Sequence, residues 1–224
     1  MKICRNVLIV DDHPIIIDGL KSLFKLIELK SDGLSFFLTS VNTLAEAEIK
    51  IHEFSKRQNL ELVVLDLSLP KQVGSFLNSG LELGLFIRKL MPTTKILVCT
   101  FHNDYFILNQ VLEKLNPLGC VCKSDMNSEN YQVALKRVLA GKNYYSQTVL
   151  DVAKKSAFLK QFDKLDLHIL KELSNGSKKK DLLEHIALGR SALDKRKRAL
   201  RLKLNIDSNS DRDLVLKARQ RNLI

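Results

Sequence analysis

The sequence of 224 residues predicts two domains, a doubly wound α/β domain with a parallel sheet and a small all-α domain. Apolar runs of strand length alternate with helical patterns as far as Gly141, and only helical patterns follow Phe162. The charge divides in the same way, because residues 151–224 carry 19 Lys and Arg against 10 Asp and Glu, whereas residues 1–150 carry 17 against 15. This positive excess favours a polyanionic partner, most commonly nucleic acid.

Five short apolar runs predict the strands of the first domain. They lie at residues 6–10, 34–40, 60–67, 95–100 and 119–123. The apolar spacing between and after these runs predicts helices at residues 15–27, 43–54, 81–91, 105–115 and 130–141. Strands that alternate with helices of this length imply a parallel sheet covered on both faces.

The pattern changes after the fifth helix. Residues 143–158 contain no strand run and are interpreted as a partly helical connector. Helical patterns then follow at residues 163–176, 177–188, 191–204 and 211–221. We therefore expect a first domain at residues 1–142, a linker at 143–161 and a second domain at 162–224.

The composition and the apolar pattern indicate the cellular compartment that we expect for the protein. With 45% hydrophobic residues the chain can bury a core. No apolar stretch reaches the length of a membrane span, and the apolar opening is interrupted at Asp11 and Asp12, so we expect a cytoplasmic protein without a membrane partner. The cysteines lack CxxC spacing and are interpreted as reduced core residues: Cys4, Cys99, Cys120 and Cys122.

Acidic side chains stand at the ends of two predicted strands. Asp11 and Asp12 follow the first strand in "VLIVDDHP", and Asp66 ends the third in "ELVVLD". The carboxyl ends of parallel strands meet at one edge of a sheet, so these three carboxylates are expected to lie together and to repel one another. A divalent cation would relieve that repulsion, and ligation by carboxylate oxygens favours Mg²⁺ or Mn²⁺ over zinc.

Two further strand ends complete this constellation. Thr100 closes "KILVCT" with a hydroxyl, and Lys123 closes "GCVCK" with an ammonium. A carboxylate nucleophile, a divalent cation, a hydroxyl and a lysine are what the transfer of a phosphoryl group requires. The sequence therefore predicts a phosphoryl site in which Asp66, Thr100 and Lys123 carry the chemistry.

The segments "LIVDDHP", "VVLDLSLP", "ILVCTF" and "GCVCKSD" resemble the signatures of the response-regulator receiver domain over about residues 5–142. "DDHP" and "LAGKNYYS" resemble the NarL/LuxR-type subfamily. The resemblance implies a (βα)5 fold in which Asp66 accepts phosphate from a histidine kinase. It also implies that Asp11 and Asp12 help to bind Mg²⁺ and that Thr100 and Lys123 contact the phosphoryl group.

The chain departs from that family at two places. Residues 71–79 form a loop beside the site that is about six residues longer than is usual in the family, and the extra length is either a tolerated surface insertion or a lid that slows phosphate access or hydrolysis. Cys120 stands where receivers usually place an aromatic switch residue. Cys120 and Cys122 share a strand face, and the two interpretations are packing and redox sensing.

The third helical pattern of the second domain has one apolar and one basic side. Leu193, Leu200 and Leu204 fall on one stripe, with basic residues on or near the opposite side. Ser191 and Asp194 have the spacing of a capping box and predict the start of the helix. Such a helix suits the DNA major groove, although a solvated basic surface has the same pattern.

Residues 167–206 are similar to the LuxR-type helix-turn-helix, within a likeness that covers about residues 162–224. "DKLD" replaces the usual "TPRE" opening, and Arg196 stands where a histidine is common. The resemblance implies binding to double-stranded DNA and a homodimer formed through residues 213–224. By alignment, the expected base contacts are Lys195 and Arg198, and the expected phosphate contacts are Lys197, Arg201 and Lys203.

The function predicted from these observations is a phosphorylation-controlled, DNA-binding transcriptional regulator. It is not expected to be an enzyme beyond its own phosphorylation and dephosphorylation. One alternative is a regulator that acts without phosphorylation or binds protein instead of DNA. A weaker alternative is a magnesium-dependent phosphotransfer enzyme with Asp66 as nucleophile. Haloacid-dehalogenase phosphatases place a second Asp two residues after the first, where this chain has Ser68.

Overall fold

The computed structural model describes residues 3–31, 33–57, 59–71, 74–177, 179–186 and 188–224. The chain folds into two compact units, Met1–Ala153 and Lys154–Ile224. The boundary between them lies inside the segment that the sequence marks as a connector. This segment is largely a helix, Gln147–Leu159, which crosses the boundary.

The first unit is built on a parallel sheet, as predicted. Its strands are β1 (Ile3–Val10), β2 (Leu34–Val41), β3 (Leu60–Asp66), β4 (Lys95–Thr100), β5 (Gly119–Cys122) and β6 (Tyr144–Tyr145). Their order across the sheet is β2-β1-β3-β4-β5-β6, and every neighbouring pair is parallel. The prediction of a doubly wound sheet is confirmed.

The sixth strand corrects the prediction that residues 143–158 contain no strand. Tyr144 and Tyr145 pair with Gly119 and Cys120 of β5, and the amide of Ser146 donates to the carbonyl of Cys120 at 3.1 Å. Two residues are too few to produce the alternation of apolar and polar residues that marks a strand in a sequence. The strand exists because β5 offers a free edge beside it.

Helices cover both faces of the sheet. They are α1 (Pro14–Leu29), α2 (Leu44–Arg57), α3 (Gly80–Leu90), α4 (Tyr105–Gln110), α5 (Ser128–Leu139) and α6 (Gln147–Leu159). Side chains alternate along each strand, so Val7 and Ile9 of β1 join one core cluster while Leu8 and Val10 join the other. The two clusters are the apolar layers beneath the two sets of helices.

The predicted fourth helix, residues 105–115, has a change of winding. It is α-helical in α4 and continues as a π-helical turn, Val111–Leu115, which ends at Asn116 with φ 45°. Leu115 packs closely on Gly84 of α3, where a Cβ atom would lie 2.8 Å from a methyl group of Leu115. The wider turn keeps this apolar residue on the buried side.

The second unit is helical, as predicted. Its described elements are α7 (Lys164–Ser174), α8 (Lys179–His185), α9 (Arg190–Lys203) and α10 (Asp211–Gln220). Leu193, Leu200 and Leu204 lie in its core, so the apolar stripe predicted for α9 is confirmed. The predicted capping box is wrong, because α9 begins one residue earlier at Arg190 with Gly189 as N-cap.

Gly80, the first residue of α3, approaches the strand end that carries Asp66. A Cβ atom on Gly80 would lie 2.7 Å from the Cα atom of Leu67 and closer still to the carbonyl oxygen of Asp66. Both neighbours are backbone atoms, which cannot turn away as a side chain can. The end of β3 is therefore packed directly against the start of α3.

We expect Gly80→Ala to destabilise the protein by about 1–3 kcal/mol, because the helix start or the strand end must move to make room. Gly19→Ala is the matched control, since Gly19 lies inside α1 with no atom near the position of its Cβ. Gly19→Ala should raise stability by up to about 1 kcal/mol through helix propensity. Urea denaturation measures both variants, and equal effects would contradict this close packing.

Candidate functional site

Four neighbouring strands bring their carboxyl ends to one place. Asp11 follows β1, Asp66 ends β3, Thr100 ends β4 and Lys123 follows β5. These four strands are adjacent in the sheet, so the sequence-predicted residues converge as expected for this topology. All four side chains are buried, whereas Asp12 is only half-buried.

Lys123 joins the two buried carboxylates. Its Nζ atom lies 2.6 Å from Oδ2 of Asp11 and 2.7 Å from Oδ2 of Asp66. The other oxygen of each carboxylate accepts a backbone N–H at 3.0 Å, from His13 in the case of Asp11 and from Ser68 in the case of Asp66. Each carboxylate is thus held by one ammonium and one amide.

The pKa of Lys123 follows from two opposing effects. Burial by itself lowers the pKa of an ammonium, because the charged form loses hydration. The hydrogen bonds to Asp11 and Asp66 and the two negative charges outweigh burial, and the pKa of Lys123 is raised above its usual value. Lys123 is therefore a fixed cation at neutral pH.

Thr100 contributes a buried hydroxyl beside this ion cluster. Its Oγ1 atom accepts a hydrogen bond from the backbone amide of His102 at 3.0 Å. That bond fixes the oxygen, while the hydroxyl hydrogen can turn towards an oxygen atom of a ligand. The arrangement can therefore hold a tetrahedral anion between an ammonium and a hydroxyl.

Two rings at the mouth of the site have no role in the sequence analysis. The ring of Phe101 lies 4.9 Å from Nζ of Lys123 and 6.0 Å from the ring of His13. Nδ1 of His13 lies 2.8 Å from Oδ1 of Asp12 and 3.2 Å from Oδ1 of Asp11. Both follow predicted site residues in "DDHP" and "CTF", which is the signal that could have found them.

The acidic groups fit a divalent cation. Ligand atoms of Asp11, Asp12, Asp66 and His13 all lie within 4.8 Å of one another. The cluster has three carboxylates and one ammonium, which contacts Asp11 and Asp66, so two negative charges are uncompensated with His13 counted as neutral. A divalent cation bound by the carboxylate oxygens would neutralise them.

The cysteines near the site are packed as core residues, whereas Cys4 is exposed, so the expectation that it lies in the core is wrong. Cys120 is fully buried in the core cluster on one face of the sheet, and Cys99 is buried on the other. Burial raises the pKa of Cys120 to about 12 and also raises the pKa of Cys99. Protonated, inaccessible thiols are poor nucleophiles, which favours packing over redox sensing.

The insertion at residues 71–79 is partly anchored on α2, although residues 72 and 73 lie outside the described part of the chain. The buried carboxylate of Glu48 accepts hydrogen bonds from the hydroxyl of Ser75 and, at 3.2 Å, from the amide of Leu77. Leu77 itself is buried. These contacts fix the second half of the insertion, and its action as a lid stays a prediction.

The basic residues of α9 separate into two groups. Lys195 and Arg198 are exposed and line, with Arg190, a surface depression of about 480 Å³. They are the two residues expected to contact bases. A cationic surface of this kind can contact the phosphates and base edges of DNA.

The three expected phosphate contacts have partners inside the second unit. Lys197 pairs with Asp211, and Arg201 donates to Asp211 at 3.0 Å. Nζ of Lys203 lies 2.6 Å from Oδ2 of Asp166. The side chain of Lys197 is only 9% exposed. Because their charges already compensate carboxylates of the same unit, this pairing favours a structural role over the expected phosphate contacts.

Asp166 forms an ion cluster with Lys203 and Arg196. It is fully buried, and Oδ1 accepts from Arg196 at 2.9 Å while Oδ2 accepts from Lys203. Arg196 also contacts Asp163, the N-cap of α7, and this hydrogen bond lowers the pKa of Asp163. The "DKLD" segment that replaces the usual opening therefore anchors α9 to α7.

No helix among the described residues is both long enough and apolar enough to cross a membrane.

The chain is similar to several known proteins. Residues 7–130 match the response regulator receiver domain. The chain is 25% identical over 225 aligned positions to the transcriptional regulatory protein ComA of Bacillus subtilis, covering 96% of this chain and 98% of ComA. It is 30% identical over 146 residues to the transcriptional regulatory protein RcsB of Escherichia coli K12, covering 64% of this chain and 60% of RcsB.

A solved structure has the same fold. It is RcsB from Salmonella enterica serovar Typhimurium, bound to promoter DNA in the presence of the phosphomimetic BeF3⁻. The TM-score is 0.55 at 20% sequence identity, over 95% of this chain and 97% of that chain.

We expect Lys203→Ala to lower the free energy of unfolding of the second unit by about 1–3 kcal/mol, because buried Asp166 loses a charged hydrogen-bond partner. The matched control is Lys195→Ala on the exposed side of α9, which should stay within about 0.5 kcal/mol of the unmodified protein. Thermal and urea denaturation measure both. Equal stabilities would show that the contact between Lys203 and Asp166 does not matter for folding.

Proposed function

The chain belongs to the response regulator receiver domain family, and from this membership we propose that it is a NarL/LuxR-type regulator whose DNA binding is controlled by phosphorylation of Asp66. The observation that carries the proposal is the buried cluster of Asp11, Asp66 and Lys123 beside the hydroxyl of Thr100. A histidine kinase is the donor that this chemistry implies.

The proposed transfer has a simple balance. A carboxylate oxygen of Asp66 forms a bond to phosphorus, the phosphorus–nitrogen bond of the donor phosphohistidine breaks, and its electron pair returns to the imidazole. Lys123 compensates the negative charge that develops on the phosphoryl oxygens, and the Thr100 hydroxyl donates to one of them. The Ser68 amide holds the second oxygen of Asp66 and so orients the carboxylate.

We assign Asp11, Asp12 and Asp66 as the residues that hold Mg²⁺, or Mn²⁺ in its place. When bound, this cation supplies charge neutralisation for the phosphoryl group. The uncompensated charge of the three carboxylates supports this assignment. Nδ1 of His13 contacts two of these carboxylates, so an ion bound by them would also lie next to the imidazole ring.

The second unit is the proposed DNA-binding part. ComA and RcsB are named transcriptional regulators, and the RcsB structure contains promoter DNA. In this chain Lys195 and Arg198 are the proposed base contacts, with Arg190 beside them. The proposed homodimer uses residues 213–224, where Leu216 is a half-exposed apolar residue on α10.

Among the alternatives, the phosphotransfer enzyme has the least support. The residue two positions after Asp66 is Ser68, which cannot act as the carboxylic acid of a haloacid-dehalogenase phosphatase. A regulator that works without phosphorylation keeps the same fold and differs only in whether Asp66 is modified. Phosphate uptake separates this regulator from one that is controlled by phosphorylation, whereas turnover of a small phosphomonoester would support the enzyme.

We expect the wild-type protein to gain one phosphate when it is incubated with Mg²⁺ and acetyl phosphate, and Asp66→Asn to gain none. The reason is that an amide lacks the anionic oxygen that attacks phosphorus. Asp18→Asn is the control, because Asp18 is an exposed carboxylate of α1. Intact mass measures all three, and removal of the cation with a chelator should suppress uptake.

An Asp66→Asn variant that gains phosphate like the wild type would place the acceptor elsewhere. A wild type that gains none would favour the phosphorylation-independent regulator.

We expect Arg198→Ala to lose about 1–3 kcal/mol of discrimination between its preferred duplex and random DNA, which is about 5- to 150-fold in affinity. The preferred duplex would be one enriched from a random library by the wild-type protein. Lys203→Ala is the comparison variant, because its ammonium is paired with Asp166. Fluorescence anisotropy at several salt concentrations, below the unfolding temperature, measures both.

In that experiment the slope of log affinity against log salt should be the same for Lys203→Ala and wild type, since no phosphate contact is lost. A slope reduced by about one for Lys203→Ala, with unchanged specificity for Arg198→Ala, would contradict the two assignments.

A further inference from the structure

Asp125 links the turn that follows β5 to the start of α6. Its contacts with Ser146 and Thr148 are called the clasp. Its Oδ2 atom accepts from the hydroxyl of Ser146 at 2.7 Å and from the amide of Thr148 at 2.8 Å. Its Oδ1 atom accepts from the hydroxyl of Thr148 at 2.9 Å. Three hydrogen bonds thus join one carboxylate to two residues more than 20 positions further along the chain.

The clasp replaces an ordinary helix cap. The amide of Thr148 lies in the first turn of α6, where backbone N–H groups have no partner within the helix. Ser146 precedes the helix, but its hydroxyl donates to Asp125 and accepts from the amide of Cys122 at 2.9 Å. A carboxylate from another segment therefore caps α6 and also faces the positive end of its dipole.

The chemistry of Asp125 agrees with this geometry. Burial raises the pKa of a carboxyl group, but the hydrogen bonds from Ser146 and Thr148 outweigh burial and lower the pKa of Asp125. Asp125 is therefore an anion at neutral pH, which is the form that can accept all three bonds.

The clasp is two residues from the lysine of the phosphoryl site. Lys123 and Asp125 are the first and last residues of a single 3₁₀ turn, Lys123–Asp125, which is closed by a hydrogen bond from the Met126 amide to the Lys123 carbonyl. Side chains from the two ends of this turn point to different partners. Lys123 binds Asp11 and Asp66, while Asp125 binds the start of α6.

Phosphorylation must change one end of this turn. The ammonium of Lys123 is shared by the carboxylates of Asp11 and Asp66. A phosphoryl group on Asp66 adds negative charge beside Lys123, and a cation on Asp11 competes for one of its partners. Lys123 therefore exchanges part of these contacts, and one turn of three residues separates it from Asp125.

We propose that the clasp formed by Asp125 with Ser146 and Thr148 carries the phosphorylation signal from Lys123 to α6, the helix that continues into the second unit. This inference rests on the proposed function, because it presupposes that Asp66 is phosphorylated. Asp125 is a positioning residue in this mechanism and does not contact the phosphoryl group. The 3₁₀ turn Lys123–Asp125 thereby contacts the phosphoryl site through Lys123 and caps α6 through Asp125.

Hydrogen exchange of the full-length protein tests the proposal, with phosphate occupancy followed by intact mass. In the wild type, phosphorylation with acetyl phosphate and Mg²⁺ should change the exchange rates of amides in the first turns of α6 by about fivefold or more. In Asp125→Ala the phosphate uptake should persist. The ratio of rates with and without phosphate should then fall to within about twofold of unity.

Two further variants make the test specific. Thr148→Val removes only the hydroxyl bond to Asp125 and should reduce the ratio even if Asp125→Ala does not fold. Asp104→Ala is the matched control, because Asp104 is likewise a capping carboxylate but caps a different helix, α4, with bonds to the amides of Phe106 and Ile107. It should keep the ratio of the wild type.

A purely structural clasp would leave the ratio unchanged, since the variants would then loosen α6 equally with and without phosphate. A wild-type ratio in both Asp125→Ala and Thr148→Val therefore overturns the proposal. So does a ratio lost equally in Asp104→Ala. A wild type that takes up no phosphate overturns the proposed function and this inference with it, and intact mass distinguishes that result from the others.

Discussion

Two buried carboxylates share one ammonium at the carboxyl edge of the sheet, and the chemistry of the site depends on this contact. Strands β1 and β3 are neighbours, so Asp11 and Asp66 are brought together by the backbone whether or not their charges tolerate it. Lys123 reaches them from β5, across the strand that ends at Thr100. The cluster has more negative than positive charge, so it can bind a cation. An anion that is added there changes the contacts of Lys123.

The residues of the site could be predicted because each is fixed by local sequence. A strand ends where its apolar run ends, and the parallel topology then places Asp11, Asp66, Thr100 and Lys123 at one edge. The partners of those residues could not be predicted in the same way. The clasp of Asp125 depends on β6, a strand of two residues that leaves no periodic signal.

The basic helix shows a second limit of the sequence. Helical phasing placed Leu193 and Leu200 of α9 in the core correctly. It could not distinguish a free lysine from one that is paired with an acid of another helix, because Asp166 and Asp211 come from α7 and α10. Lys197 and Lys203 therefore pair with acids of the same unit, so fewer basic side chains are available to a polyanion than a count of lysines and arginines gives.

Locating the phosphoryl group on the chain tests the role of Asp66 most directly. Borohydride reduces an acyl phosphate to an alcohol, so a phosphorylated aspartate becomes homoserine, which peptide mass spectrometry can place. We expect homoserine at position 66 alone, because Asp66 contacts Lys123 and, unlike Asp11, ends a strand that is next to the strand ending at Thr100. Homoserine at Asp11 or Asp12, or none in a protein that has gained phosphate, would contradict the assignment of Asp66 as the acceptor.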